Sequence, residues 1–257
     1  MSRETIFLQE MGIAVWTPRT VPAEPGPIAA PRAVHAAAPP GAVSGAAPRP
    51  QLPTAAPVVQ PTIVEPDIAL MDWPALRTAI ASCTRCGQCQ DPVMGSGPQL
   101  ARWMVVAGAT TAADEKDRAP LSGDAGTLLT NMLAAAGLAR DEEVYVTNLV
   151  KCRPVTANGG DRAPTGEEAA ACRPFVEREL ALTGAQTVLT VGQIAANTLL
   201  GRALQDPLAG ARGQVHALAG VPLVATLHPG ELLRRGADKA LAWSDLCLAM
   251  APDAIER

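Results

Sequence analysis

Apolar and polar positions follow two rhythms in this chain, and from about residue 102 the rhythms alternate. Residues 102–108 (R-W-M-V-V-A-G), 144–150 (V-Y-V-T-N-L-V), 187–191 (T-V-L-T-V) and 221–227 (V-P-L-V-A-T-L) are short, mostly apolar runs closed by small or polar residues. That is the pattern of strands buried on both faces. Between them lie amphipathic stretches: 127–136, ended by Gly137; a helix opened by the capping box Thr165-x-x-Glu168; 194–200 after the turn at Gly192; and 238–250. Upstream, Asp72 can cap a helix that runs through Pro74 to Ser82, whereas Asp114 to Arg118 reads as a charged loop. Strands that alternate with helices favour a parallel sheet covered on both sides. In such a sheet the loops after the strands hold the ligand, here the loops from Gly108, Asn148, Gly192 and His228 onward.

The first quarter of the chain lacks this periodicity. Residues 21–66 hold 12 of the 24 prolines, mixed with Ala, Val and Gly, a composition that favours an extended, disordered tether. Ahead of it, residues 5–16 place Phe7, Leu8 and Met11 on one helical face, followed by Gly12 and Trp16. So short a helix is unstable alone in water, and suits a hook that folds into a partner's groove or docks on its own domain. The expected organisation is therefore an amphipathic peptide at 1–20, a Pro/Ala-rich linker at 21–67 and one folded domain at 68–257. With 48% hydrophobic residues in the chain, that domain can build a sizeable core.

Charge narrows the function classes. The net charge is −4, and residues 68–257 carry 17 basic against 20 acidic side chains, which excludes a strongly basic nucleic-acid binder but not a local basic rim. No apolar run is long enough to span a membrane, and no secretory signal pattern opens the chain. Six cysteines without an export signal point to a reducing, cytoplasmic setting and a metal–thiolate site rather than a disulfide framework. Cys83-x2-Cys86 with Cys152 and Cys172 makes one chelating pair plus two separate ligands, which suits zinc or a 4Fe-4S cluster. Cys89 competes as a ligand, and Cys247 falls on the apolar stripe of the last helix beside Leu248.

In order, the motifs C-T-R-C, P-L-S-G-D-A-G-T-L-L, V-Y-V-T-N-L-V-K-C-R-P, E-E-A-A-A-C-R-P, V-G-Q-I-A-A and T-L-H-P-G-E-L-L-R resemble the family 4, iron–sulfur, uracil-DNA glycosylases. The resemblance implies a three-layer α/β/α sandwich around a four-stranded parallel sheet, and a 4Fe-4S cluster on Cys83, Cys86, Cys152 and Cys172. It implies a uracil-DNA glycosylase of base excision repair, acting on uracil-containing DNA. It makes His228 the donor to negative charge growing on the departing uracil and Asn148 the reader of the base edge, with Gly108, Ala109 and Leu121 around the base. Leu232 and Leu233 would fill the gap left by a flipped nucleotide, and Arg234 would meet a phosphate.

The first loop departs from the family pattern G-E-A-P-G. This chain has Gly108-Ala109-Thr110-Thr111-Ala112, so the expected acidic group is missing at Ala109, the stiffening proline is Thr111, and the stacking phenylalanine is Leu121. Asp114 and Glu115 are the nearby carboxylates that could substitute for it, both out of register. Several altered groups together imply weakened activity, since one such group is worth about 10²-fold or more. The peptide F-L-Q-E-M-G-I-A-V-W also resembles the N-terminal peptide of the psi subunit of the bacterial DNA polymerase III clamp-loader complex. That keeps open an adaptor that binds clamp-loader subunits through residues 5–16.

Overall fold

The computed structural model describes residues 67–87 and 91–251; the expected hook, the tether and Cys89 lie outside them. The domain is a mixed α/β sheet with helices on both faces. Its first helix, α1 (Trp73–Ala81), starts where Asp72 accepts a hydrogen bond from Ala75 N at 2.9 Å. Strand β1 (Trp103–Ala109) leads to α2 (Ala112–Asp117), α3 (Gly123–Ala135) and the single turn α4 (Arg140–Glu143). Strand β2 (Val144–Val150), α5 (Gly166–Thr183), β3 (Thr187–Val191) and α6 (Gln193–Leu199) follow. The chain closes with β4 (Val215–Leu218), β5 (Val221–Thr226), α7 (Pro229–Arg234) and α8 (Lys239–Met250).

The sheet order is β2-β1-β3-β5-β4, with the first three pairings parallel and β4 antiparallel to β5. The four parallel strands are the four expected ones. The fifth corrects the four-strand expectation: β4 is a four-residue edge strand, half-exposed and therefore weak as a pattern. It joins β5 through Ala219 and Gly220, both at positive φ (49° and 83°), as a tight two-residue hairpin requires. A second correction concerns the charged loop, which is helix α2. Thr111 caps it and Asp114 completes a reciprocal capping box.

Alternation along the strands builds two cores. Met104, Val106, Tyr145, Leu149 and Val188 face α5 and α6, where Ala169, Val176, Leu180 and Ala195 meet them. Trp103, Val105, Ala107, Val146, Leu189 and Val224 face α3 and α8, where Leu129, Leu133 and Leu246 meet them. Helix α1 packs through Leu76 and Ile80 on Phe175 of α5. Among the described residues no helix is long and apolar enough to cross a membrane.

Candidate functional site

The carboxyl ends of β1, β3 and β5 open onto a cavity of about 590 Å³. Gly108 to Thr111 form one wall, Gly192 to Ile194 a second, His228, Glu231 and Arg234 a third, and Asp161 to Pro164 a fourth. Gly192 has φ +94°, and a Cβ there would stand 3.2 Å from Cβ of His228. A glycine is therefore needed both for the turn and for the histidine's place.

His228 is the N-cap of α7, and its Nδ1 accepts the backbone N–H of Gly230 at 3.0 Å. An acceptor Nδ1 in a neutral imidazole leaves the proton on Nε2. Burial lowers the pKa of this histidine, more than Glu231 and Asp114 raise it. The ring is thus a neutral N–H donor at the cavity.

Asn148 lies behind this cavity rather than on its surface. Its Nδ2 donates to Thr110 Oγ1 at 3.2 Å and to Asp114 Oδ2 at 3.1 Å, while its buried Oδ1 has no partner. Thr110 ties the ends of β1 and β2 together: its N–H donates to Val150 O and its hydroxyl lies 3.1 and 2.9 Å from the carbonyls of Val150 and Lys151. Asp114 is buried and also accepts from Thr111 N and Ser122 N. Through Asp114, whose charge reaches His228, the asparagine and the histidine share one neighbourhood.

Asp114 is the residue the sequence reading placed out of register. The capping box brings it in, because a helix begun at Thr111 turns the third helical side chain back toward the strand end. A T-x-x-D signal was there to find it. The turn after α2 is held from both sides: Arg140 donates to Gly126 O at 3.1 Å and Pro120 O at 3.4 Å, and Gly126 leaves room that a Cβ would take, 1.9 Å from Leu121 O.

Gly108, Ala109, His228 and Arg234 line the cavity as expected positions would. Leu121 does not; it sits in the apolar cluster under α3, with φ +49° turning its chain segment. Leu232 is 1% exposed, so it is core and unavailable to enter a duplex. Leu233 is 48% exposed.

The wall at 161–164 belongs to a hairpin that follows Cys152. Arg153 donates to Asp161 and Gly159 O and reaches Glu115 at 3.4 Å, while Arg162 grips Glu168 at 2.6 and 2.9 Å and holds that carboxyl below its ordinary range. The cysteine region is therefore connected to the cavity by a short braced segment.

Cys83, Cys86 and Cys172 are free thiols. Burial pushes the Cys172 thiol up, the backbone N–H of Lys151 draws it down, and Cys86 and Cys83 raise it further, so the three sulfurs lie within electrostatic reach of one another. Cys152 is buried. Among the described residues no three His, Cys, Asp or Glu side chains gather closely enough to hold a metal ion. The donor type fits a thiolate-bound iron centre.

Comparison with known proteins adds an independent line. The family model described as the uracil DNA glycosylase superfamily matches residues 94–247. A type-4 uracil-DNA glycosylase of Pyrobaculum aerophilum is 31% identical over 69% of this chain and 93% of its own length. Similar type-4 uracil-DNA glycosylases occur in Thermotoga maritima, 31% identical over 60% of this chain and 80% of the relative, and in Archaeoglobus fulgidus, 32% identical over 61% and 80%.

Proposed function

Because the chain belongs to the uracil DNA glycosylase superfamily, we propose that it is a DNA-repair glycosylase that hydrolyses the bond between uracil and deoxyribose in DNA. The nucleotide leaves the stack and its base enters the cavity at the ends of β1, β3 and β5. As the glycosidic bond breaks, the bonding electrons move onto the uracil ring and the sugar carbon becomes cationic. Water then adds its oxygen to that carbon, and its proton is released. His228 supplies the Nε2–H that meets the growing negative charge, and Gly230 N keeps that tautomer fixed. Asn148, behind the cavity with a buried Oδ1 that has no partner, is the candidate reader of the base edge. Arg234, at the cavity rim, takes a phosphate of the flipped nucleotide.

The cluster belongs to the same reading: a 4Fe-4S centre held by Cys83, Cys86, Cys152 and Cys172, which braces the hairpin that forms one cavity wall. When bound, such a centre contributes a rigid cross-link among these segments. Purified protein would show a broad visible thiolate-to-iron band, and Cys172→Ser would lose it; a colourless, iron-free wild type prepared without oxygen would remove the cluster.

The observation that carries the function is the preset His228 donor at a strand-end cavity. It is tested by incubating the full chain and His228→Ala with a labelled single strand containing one uracil. Wild type should leave abasic sites and the variant should be slower by about 10²–10³-fold. No abasic product from cluster-loaded wild type, beside an active control glycosylase, would refute the assignment.

A further inference from the structure

Bond breaking in the proposed reaction separates charge, and each half needs its own partner. The negative charge that grows on the base has the Nε2–H of His228; the positive charge on the sugar carbon calls for a carboxylate. Among the described residues that line the cavity, the acidic ones are Asp161 and Glu231. Glu231 lies on α7 three residues after His228, and its charge reaches the imidazole, so it stands on the side where the anion forms. Asp161 stands on the hairpin wall, where its Oδ2 comes within 3.4 Å of Ala112 N at the start of α2.

That wall is braced, and it is negative. Val155 and Asp161 form an antiparallel bridge, Arg162 N donates to Pro154 O at 3.0 Å, and Arg153 donates to Gly159 O at 2.9 Å. Arg153 pairs with both Asp161 and Glu115, and Arg162 pairs with Glu168; three carboxylates against two guanidiniums leave one net negative charge. A wall that served only to hold phosphates would carry the opposite sign. Arg153 Nε fixes one Asp161 oxygen, yet the side chain is still 45% exposed. The carboxylate is thus oriented while its second oxygen keeps room for a water.

We infer that Asp161 is a catalytic residue, the carboxylate that faces the sugar cation and takes the proton of the attacking water. The inference rests on the proposed function. The glycosidic bond breaks with its electron pair moving onto the base, the water oxygen bonds to the sugar carbon, and the water proton passes to Asp161 and from there to solvent.

A cationic sugar mimic reads this charge without catalysis. Single strands carrying either one pyrrolidine nucleotide, whose ring nitrogen is protonated at neutral pH, or one neutral tetrahydrofuran nucleotide of similar shape are titrated into the full chain. Wild type should bind the cation about 10-fold more tightly. Asp161→Asn, which keeps an oxygen for Arg153, should bring the two within about 2-fold, while Glu231→Gln should keep most of the preference. Loosening of the wall would weaken both strands alike and leave their ratio unmoved. Uracil excision by Asp161→Asn should be slower by about 10²-fold. If wild type excises uracil but does not prefer the cation, or if Asp161→Asn keeps either the preference or the rate, the inference falls and the proposed function stands. Loss of the preference in Glu231→Gln alone would also overturn the assignment to Asp161. If cluster-loaded wild type leaves no abasic site, both fall.

Discussion

Strand β2 carries two buried polar groups of residues back to back, and only one of them is complete. On the face toward α5, Lys151 Nζ lies 2.6 Å from both Glu179 Oε2 and Thr147 Oγ1, Thr147 donates to the same carboxylate at 3.0 Å, and Tyr145 donates to Glu179 Oε1 at 3.2 Å. None of these side-chain atoms is without a partner. On the face toward α3, Asn148 is equally buried, yet its Oδ1 is left open. Both sets are paid for in desolvation, so their difference lies in what the last acceptor is for. A closed network fixes the strand, while a buried acceptor without a donor costs about 1–3 kcal/mol and is open to a water or a ligand as its donor.

Breaking the closed side should produce the largest effect. Lys151→Met leaves the Glu179 carboxylate buried without its cation and should cost about 3–5 kcal/mol of stability, measured by urea denaturation. A loss under 1 kcal/mol would mean that the pair contributes little and that the two faces are alike. On the open side the balance should reverse. Asn148→Ala should change stability by no more than about 1–2 kcal/mol while lowering uracil excision by about 10²-fold; equal damage to both quantities would erase the distinction. Gly126→Ala tests the support beneath the open side, because its Cβ would meet Leu121 O at 1.9 Å. Displacing that turn should cost about 1–3 kcal/mol and loosen the Ser122–Asp114 bond, seen as faster amide exchange at Ser122.

The closed and open sides were not equally legible in the sequence. Apolar runs revealed the four parallel strands because strands buried on both faces leave an almost continuous signal, and capping boxes with Glu, as at Thr165, announced α5. Strand β4 was invisible because four half-exposed residues carry no decisive period, and α2 was hidden because its box uses Asp in place of Glu. That second gap concealed Asp114, whose contact with Asn148 depends on how a six-residue helix turns. Leu121 and Leu232 show the opposite failure. Motif position suggested contact with a ligand, yet an aliphatic side chain gains more from an apolar cluster than from a polar cavity, and both are buried in the core. Lys151 and Glu179 are 28 residues apart, and no local pattern pairs them.

The smallest expected effect is on pH, and it separates the faces by sign. Burial keeps the His228 imidazole neutral in the folded protein and its pKa below the ordinary value of about 6.5. Between those two values the unfolded chain binds the extra proton and the folded one does not, so stability is complete above about pH 6.5 and declines as pH falls through the folded value. Protonation at Nδ1 also removes the acceptor for Gly230 N, so excision should decline over the same acidic range. Tyr145 on the other face is pushed well above the usual phenol range by burial and by Glu179, so it stays protonated there and adds nothing to the acid limb. His228→Asn can still cap α7 but cannot titrate. Its stability should therefore lose the part of the acid decline that wild type shows just below neutrality, and an unchanged profile would assign that decline to groups other than this histidine.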